Sequence, residues 1–393
     1  MTGRRLLVTV YAYPPSLLSA AVRWGALTKY LAEMGHSITV ITSDSFGTPS
    51  AADPVHVVRP QTLETSRFMS RRDLNPRVSW APFALRQARR LLRQQTYDCL
   101  ITTSPPESAH LVGLMLGRRR PPWIADFRDG WCFEPYTERF KTRAGLAVDS
   151  WLEERVAHGA DVTVGVTPPI AADLAERLGA RSHWISNGWD PAATTTETSG
   201  RLQPDGSHTL TLVYTGHLWG EWGRTPEPLF RAMREVASDA SGPKLRLVHA
   251  GELRSEDRAL IERTGVSDLV KHVGLLDRGA LISLQRSADV LVLLTSRHSS
   301  EATGKLYEYL AAGRPILALA QANEAERIVR ETHTGVTVEP EDVNAIADAL
   351  RRAARGDLAR EYAPSGIEQY AYPRLAEQMA DVIEEAIAVH ARA

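Results

Sequence analysis

Apolar residues fall along this chain in two alternating rhythms. Short continuous runs at residues 6–10 (LLVTV), 99–103, 123–126 and 162–166 read as strands buried on both faces. Between them, residues 20–34, 109–116 and 170–178 space their apolar side chains three and four apart, as a helix with one buried face does. Gly35 closes the first of these helices, and residues 37–42 return to a β-branched run. Strand, helix and parallel strand make a βαβ unit, the seed of a sheet with both faces covered.

The series restarts after residue 208. Strands are predicted at 210–214, 245–250, 270–273, 290–294 and 316–320, and helices at 226–237, 255–265, 279–286, 304–311, 322–332 and 344–355. Residues 372–391 form one amphipathic helix. The turn signal Asn187–Gly188 precedes a stretch rich in Thr, Ser, Gly and Pro. The expected fold class is therefore α/β: two parallel-sheet domains, residues 1–190 and 209–371, a linker at 191–208, and a closing helix at 372–393. Residues 59–78 are polar, arginine-rich and without periodicity, a length of loop that is usually functional. Open parallel sheets bind ligands beyond the carboxyl ends of their strands. Two such domains on a hinge predict a cleft that brings two reactants together.

Composition narrows the class. A net charge of −1 over 393 residues gives no pull toward nucleic acid. Residues 1–190 carry 23 Lys and Arg against 18 Asp and Glu, and the remainder 23 against 29, so the first domain is the basic one. Two cysteines, Cys99 and Cys132, in apolar contexts point to a reducing compartment, with no disulfide framework and no zinc site. The opening MTGRRLLVTVYAYPP is too short an apolar run for a signal peptide, and no window approaches the ~20 apolar residues of a membrane span. The expected location is the cytoplasm, with a peripheral contact at the inner face of the membrane as a further expectation.

The stretch TSRHSSEATGKLYEYLAAGRPILALA, residues 295–320, carries the chemistry. A strand delivers a loop of small polar residues to a helix opening at Thr303 and Gly304. The first amides of a helix lack internal partners and sit at its positive end, so they favour an anion. Gly304 lets a ligand approach the backbone. Lys305 opposes the helix dipole, a cost that makes sense beside a bound anion. Glu308 shares its face and lies one turn deeper, placed to accept from the two hydroxyls of a ribose. The order phosphate then ribose suggests a nucleotide. The plainer reading is an exposed Lys305–Glu308 pair worth at most ~0.5 kcal/mol.

These features resemble the two-domain GT-B glycosyltransferases, and specifically glycosyltransferase family 4, over essentially the whole chain. GKLYEYLAAGRPILAL resembles the family's donor-binding helix, in which the last glutamate of a Glu-x7-Glu pattern holds the ribose. By position that glutamate is Glu308, while the first falls on Ser300 with Glu301 one residue off. LVTVYAYPPSLLSAAVRWGALTKYLAEMGHSITVIT resembles the opening βαβ unit, with Leu17, Leu18 and Ala20 where glycines are common. WISNGWD resembles the turn entering the linker. LVYTGHLWGEWGR resembles the loop whose basic residue grips the diphosphate, which makes that residue Arg224 and puts Gly216 at the strand end. VHAGE and KHVGLLDRGAL match the elements that cradle the base, with backbone around Val273 and Leu275 reading its edge. The closing helix resembles the one that crosses back to the first domain.

The resemblance implies a retaining transferase that moves a sugar from a nucleoside-diphosphate sugar, its co-substrate, to a sugar, lipid-linked or small-molecule acceptor. No cofactor is expected. No Asp-x-Asp cluster or His/Cys ligand spacing occurs, so the expected mechanism is metal-independent. In WIADFRDGW two readings stand for Asp126 and Arg128: contact with the donor sugar or acceptor hydroxyl, or an Arg128–carboxylate pair that rigidifies the loop. His110 is either a third catalytic candidate or a packing residue. The helix at 80–95, with Arg86, Arg89, Arg90 and Arg93, and the run Arg118–Arg120 either meet an anionic lipid or acceptor or form an ordinary surface. Trp24, Trp131, Trp189, Trp219 and Trp222 either stack on sugars or pack. Two other classes share the architecture: a sugar-nucleotide epimerase, and a catalytically decayed nucleotide-sugar-binding subunit.

Overall fold

The computed structural model describes residues 3–47, 55–60, 80–134, 142–193, 209–218, 224–239 and 242–392. The expected loop at 59–78 beyond its first two residues, the linker beyond residue 193, and Trp219 and Trp222 lie outside them. The chain divides into two compact units, Met1–Gly188 with Tyr370–Ala393, and Trp189–Gln369.

The first unit is built on seven strands: β1 (Arg5–Thr9), β2 (Ser37–Ile41), β3 (His56–Val58), β4 (Cys99–Ser104), β5 (Trp123–Phe127), β6 (Val162–Gly165) and β7 (Ser182–Trp184). All neighbours pair parallel, in the order β3-β2-β1-β4-β5-β6-β7. Alternation along each strand feeds two cores. Leu6 and Val8 of β1 pack with Trp24 and Leu27 of the helix Ser19–Glu33 and with Met379 and Ile383 of the helix Tyr372–His390. Leu7, between them, joins Leu85, Ala88 and Leu91 of the helix Ala81–Gln94 and Val112 of the helix His110–Leu116 on the other face. A strand covered on both sides buries nearly every side chain, which is why LLVTV is apolar but for Thr9.

The second unit holds β8 (Leu210–Thr215), β9 (Leu245–Ala250), β10 (Val270–Gly274), β11 (Val290–Leu294), β12 (Ile316–Leu319) and β13 (Gly335–Val338). They too are all parallel, in the order β10-β9-β8-β11-β12-β13. Leu212 and Tyr214 pack beneath Leu229 and Met233 of the helix Glu227–Ser238 and Ile346 and Leu350 of the helix Val343–Ala354.

In each sheet the chain winds outward both ways from an inner pair, β1/β4 in one and β8/β11 in the other. At such a switch point the loops beyond the carboxyl ends part and leave a crevice. Strands β3, β7 and β13, unexpected from spacing, are edge strands of three or four residues, too short to show a period. Spacing also missed the helix Arg143–Gly159, most of whose residues are exposed.

Candidate functional site

At the β8/β11 switch point two backbone elements face each other. The chain leaves β8 through Gly216, whose φ of +97° suits glycine alone. From β11 the loop reaches Thr303, the N-cap of the helix Gly304–Ala312, and Gly313 ends that helix at φ +69°. Thr303 makes no side-chain cap bond, and its buried Oγ1 has no partner among the described residues. A side chain at Gly304 would meet only open space.

Lys305 joins the two elements. Its Nζ donates to Tyr214 Oη at 2.8 Å and lies 4.3 Å from that ring's centre. A Cβ built on Gly216 would come within 3.1 Å of the same nitrogen. Lys305 therefore places a full charge over the glycine turn. A second tyrosine ties the same parts in the reverse sense: Thr215 N donates to Tyr309 Oη at 3.0 Å. Among the described residues Glu308, half-buried one turn below Lys305, accepts only a long bond from Gln285 Nε2, 3.4 Å away. Burial raises its pKa, opposed by Gln285, Arg278 and Lys305. A carboxylate so weakly bonded retains capacity for further donors.

Arg224 and Glu301 come together, with Arg224 Nη1 3.8 Å from Glu301 Oε1. Glu301 is 3% exposed and accepts from Ser296 N at 2.6 Å and from Ser296 Oγ, so it staples the loop ahead of the helix. Ser300 is buried as well. Val273 sits half-buried at the end of β10, and Leu275 follows it 83% exposed.

The residues expected near the first unit's switch point are placed differently. Asp126 is wholly buried. Its Oδ1 accepts from Arg23 Nη2 at 3.1 Å, and its Oδ2 from Trp24 Nε1 at 3.0 Å and Thr103 Oγ1 at 2.8 Å. A carboxylate enclosed by three protein donors fixes its neighbours. Among the described residues Arg128 forms no hydrogen-bonded carboxylate pair. It bridges Ser19 Oγ at 3.1 Å and Pro105 O at 2.8 Å, clamping the loops after β1 and β4. His110 packs 4.6 Å from Phe127, centre to centre, with Nδ1 2.7 Å from Thr102 Oγ1. Burial drives its pKa down to about 3. Trp24 and Trp131 are core, and Trp189 donates to Ile367 O at 3.2 Å.

Beside the helix Ala81–Gln94 lies a groove of about 530 Å³, floored by Leu85, Leu111 and Met115 and edged by Arg86, Arg89 and Arg93. No helix among the described residues is long and apolar enough to cross a membrane.

Sequence reasoning passed over Tyr214, His249 and His272. Their signal is a repeated triplet, a ring followed two residues later by glycine at the end of an apolar strand: Tyr214-Thr-Gly216, His249-Ala-Gly251 and His272-Val-Gly274.

Comparison with known proteins assigns these two doubly wound sheets to a family. Residues 20–188 match the glycosyl transferase 4-like domain, and residues 209–355 match the glycosyl transferases group 1. An exopolysaccharide phosphotransferase of Streptomyces coelicolor is 25% identical over 316 residues, 77% of this chain and 30% of that protein. The chain thus spans under a third of the length of that relative. Sucrose-phosphate synthase from Thermosynechococcus elongatus shares the fold with a TM-score of 0.76 at 19% identity, over 98% of this chain and 99% of that one. WaaG, a glycosyltransferase involved in lipopolysaccharide biosynthesis, does so with a TM-score of 0.64 at 16% identity, over 96% and 99%. The chain belongs to the GT-B glycosyltransferases of the family 4 and group 1 type. Both matched regions are glycosyltransferase domains.

Proposed function

We propose that the second unit binds the nucleoside-diphosphate sugar at the β8/β11 switch point and that transfer proceeds with retention to a hydroxyl of a cell-surface glycan, lipid-linked or natural-product acceptor. The observation that carries this reading is the Lys305 ammonium, held over the Gly216 turn at the start of the helix that bears Glu308. In this reading the diphosphate rests on the amides opening at Thr303 and Gly304, with Lys305 and Arg224 as its cations. Glu308 takes the ribose hydroxyls, and backbone at Val273 and Leu275 reads the base. Glu301 holds the loop in shape through Ser296 and steadies Arg224.

The C1–phosphate oxygen bond breaks and an acceptor oxygen–C1 bond forms on the same face of the sugar. The departing phosphate oxygen takes the acceptor's proton, so no protein base is required. The protein orients two substrates and neutralises the charge growing on the leaving diphosphate. Two protein cations supply that charge, and the mechanism needs no metal. Asp126, Arg128 and His110 serve this chemistry by keeping the first unit's loops in place. A glycan or lipid-linked acceptor is supported by the names of the similar proteins, one for exopolysaccharide and one for lipopolysaccharide work. The arginine-edged groove supports a peripheral contact with an anionic membrane surface.

The test is a thermal-shift panel of UDP, GDP, ADP and dTDP on the parent protein and on Glu308→Ala. One diphosphate is expected to raise the parent's melting temperature by several degrees, and the variant to lose most of that rise. Equal shifts in both proteins would remove the ribose assignment.

A further inference from the structure

The triplets ending β8, β9 and β10 bring three rings into one row. Tyr214 pairs with His249 and His249 with His272 in the strand register. The Tyr214 and His249 rings stack 6.0 Å apart and the two imidazoles 5.2 Å apart, with Lys305 on the open end of the row. Each imidazole also reaches across to the glycine that leaves the preceding strand. His249 Nε2 donates to Gly216 O at 2.8 Å, and His272 Nε2 donates to Gly251 O at 2.8 Å. Because the acceptor is a carbonyl, Nε2 must carry the proton.

In a planar trans peptide the C=O and the following N–H point in opposite directions. With the Gly216 carbonyl drawn in toward buried His249, the N–H of exposed His217 is turned out. Tyr214 Oη does the same one residue on, donating to His217 O at 2.5 Å. The His217 amide donates to no other group among the described residues. It emerges beside Gly216, where the Lys305 ammonium also lies. A turn left to itself could show carbonyl oxygens to an anion; this one shows an amide because the ring row holds its carbonyls inward.

We propose that His249 is a positioning residue for donor binding: its Nε2–H locks the Gly216 carbonyl inward and so presents the His217 amide, with Lys305, to the diphosphate. His272 supports the outer turn at Gly251 in the same way. This rests on the donor-site reading above. His249 is buried, and burial lowers its pKa, consistent with a fixed single N–H donor.

Two variants separate the donor from the stack. His249→Phe keeps a ring and loses the N–H; His249→Gln loses the ring and keeps an N–H near the same place. Titration calorimetry uses the diphosphate among UDP, GDP, ADP and dTDP that most stabilises the parent, and the matching nucleoside. His249→Phe is expected to weaken the diphosphate roughly tenfold, the equivalent of one hydrogen bond's ~1.4 kcal/mol, and to leave the nucleoside unchanged. His249→Gln is expected to recover most of the loss. His272→Phe, on the exposed edge strand, is expected to cost about threefold. His217→Pro, which deletes the amide itself on an exposed turn, is expected to match His249→Phe and keeps the test open if the latter does not fold. Parent-like diphosphate affinity in His249→Phe or His217→Pro overturns the proposal, as does equal loss of diphosphate and nucleoside in both His249 variants. If none of the four diphosphates binds the parent, the donor-site reading itself fails.

Discussion

At the carboxyl edge of the seven-stranded sheet Arg23, His110, Asp126 and Arg128 are at most 8% exposed, and each is bonded to a side chain or carbonyl of its own unit. At the same edge of the six-stranded sheet, Lys305 and Glu308 are half-buried, one bonded to a tyrosine hydroxyl and the other to a distant amide. The topology is shared, but the handling of charge is opposite. A buried ion must find partners inside the protein, so the first edge is a frame. The second keeps hydrogen-bonding capacity for something outside the chain.

The largest test of that contrast is Asp126→Ala. It strands the Arg23 guanidinium without its counter-ion, and urea unfolding should show a loss of about 3–5 kcal/mol. A variant as stable as the parent that loses only turnover would put Asp126 in the reaction and break the comparison. Lys305→Ala should behave in the reverse way. Donor kcat/KM is expected to fall about 10²–10³-fold, as when one charge-stabilising group is removed, while the unfolding midpoint barely moves. A large drop in stability with little change in turnover would make Lys305 part of a frame too.

The smallest expected effect, taken per pH unit, is a slope in stability. His110 is fully buried with a pKa of about 3, against 6.5 when exposed. Between those values the unfolded chain binds a proton that the folded chain refuses, so stability rises with pH across this window. Acidification below 6.5 should therefore cost about 1.4 kcal/mol per pH unit from this group. His110→Gln should flatten that part of a urea-unfolding series. An unchanged slope would mean that His110 takes up its proton in the folded state.

Much of this was legible in the residues because it is local. Continuous apolar runs marked the strands with two covered faces. Thr303, Gly304, Lys305 and Gly313 marked the start and end of one helix, and Glu308 followed from its one-turn spacing. Edge strands β3, β7 and β13 were not legible, since three or four residues carry no period. Arg23 was not legible as a partner of Asp126 either, because a separation of 103 residues leaves no trace in spacing.

The sequence by itself determined the two sheet domains, the family, and a cation and a carboxylate one turn apart on a helix after a strand. Which charges are enclosed and which remain available was decided only by tertiary structure. That depends on what lies across the sheet: Trp24 and Thr103 around Asp126, Tyr214 beneath Lys305, His249 against the Gly216 carbonyl. Desolvation and hydrogen bonding act through space. A linear pattern can name the charged residue, but not the neighbours that occupy it.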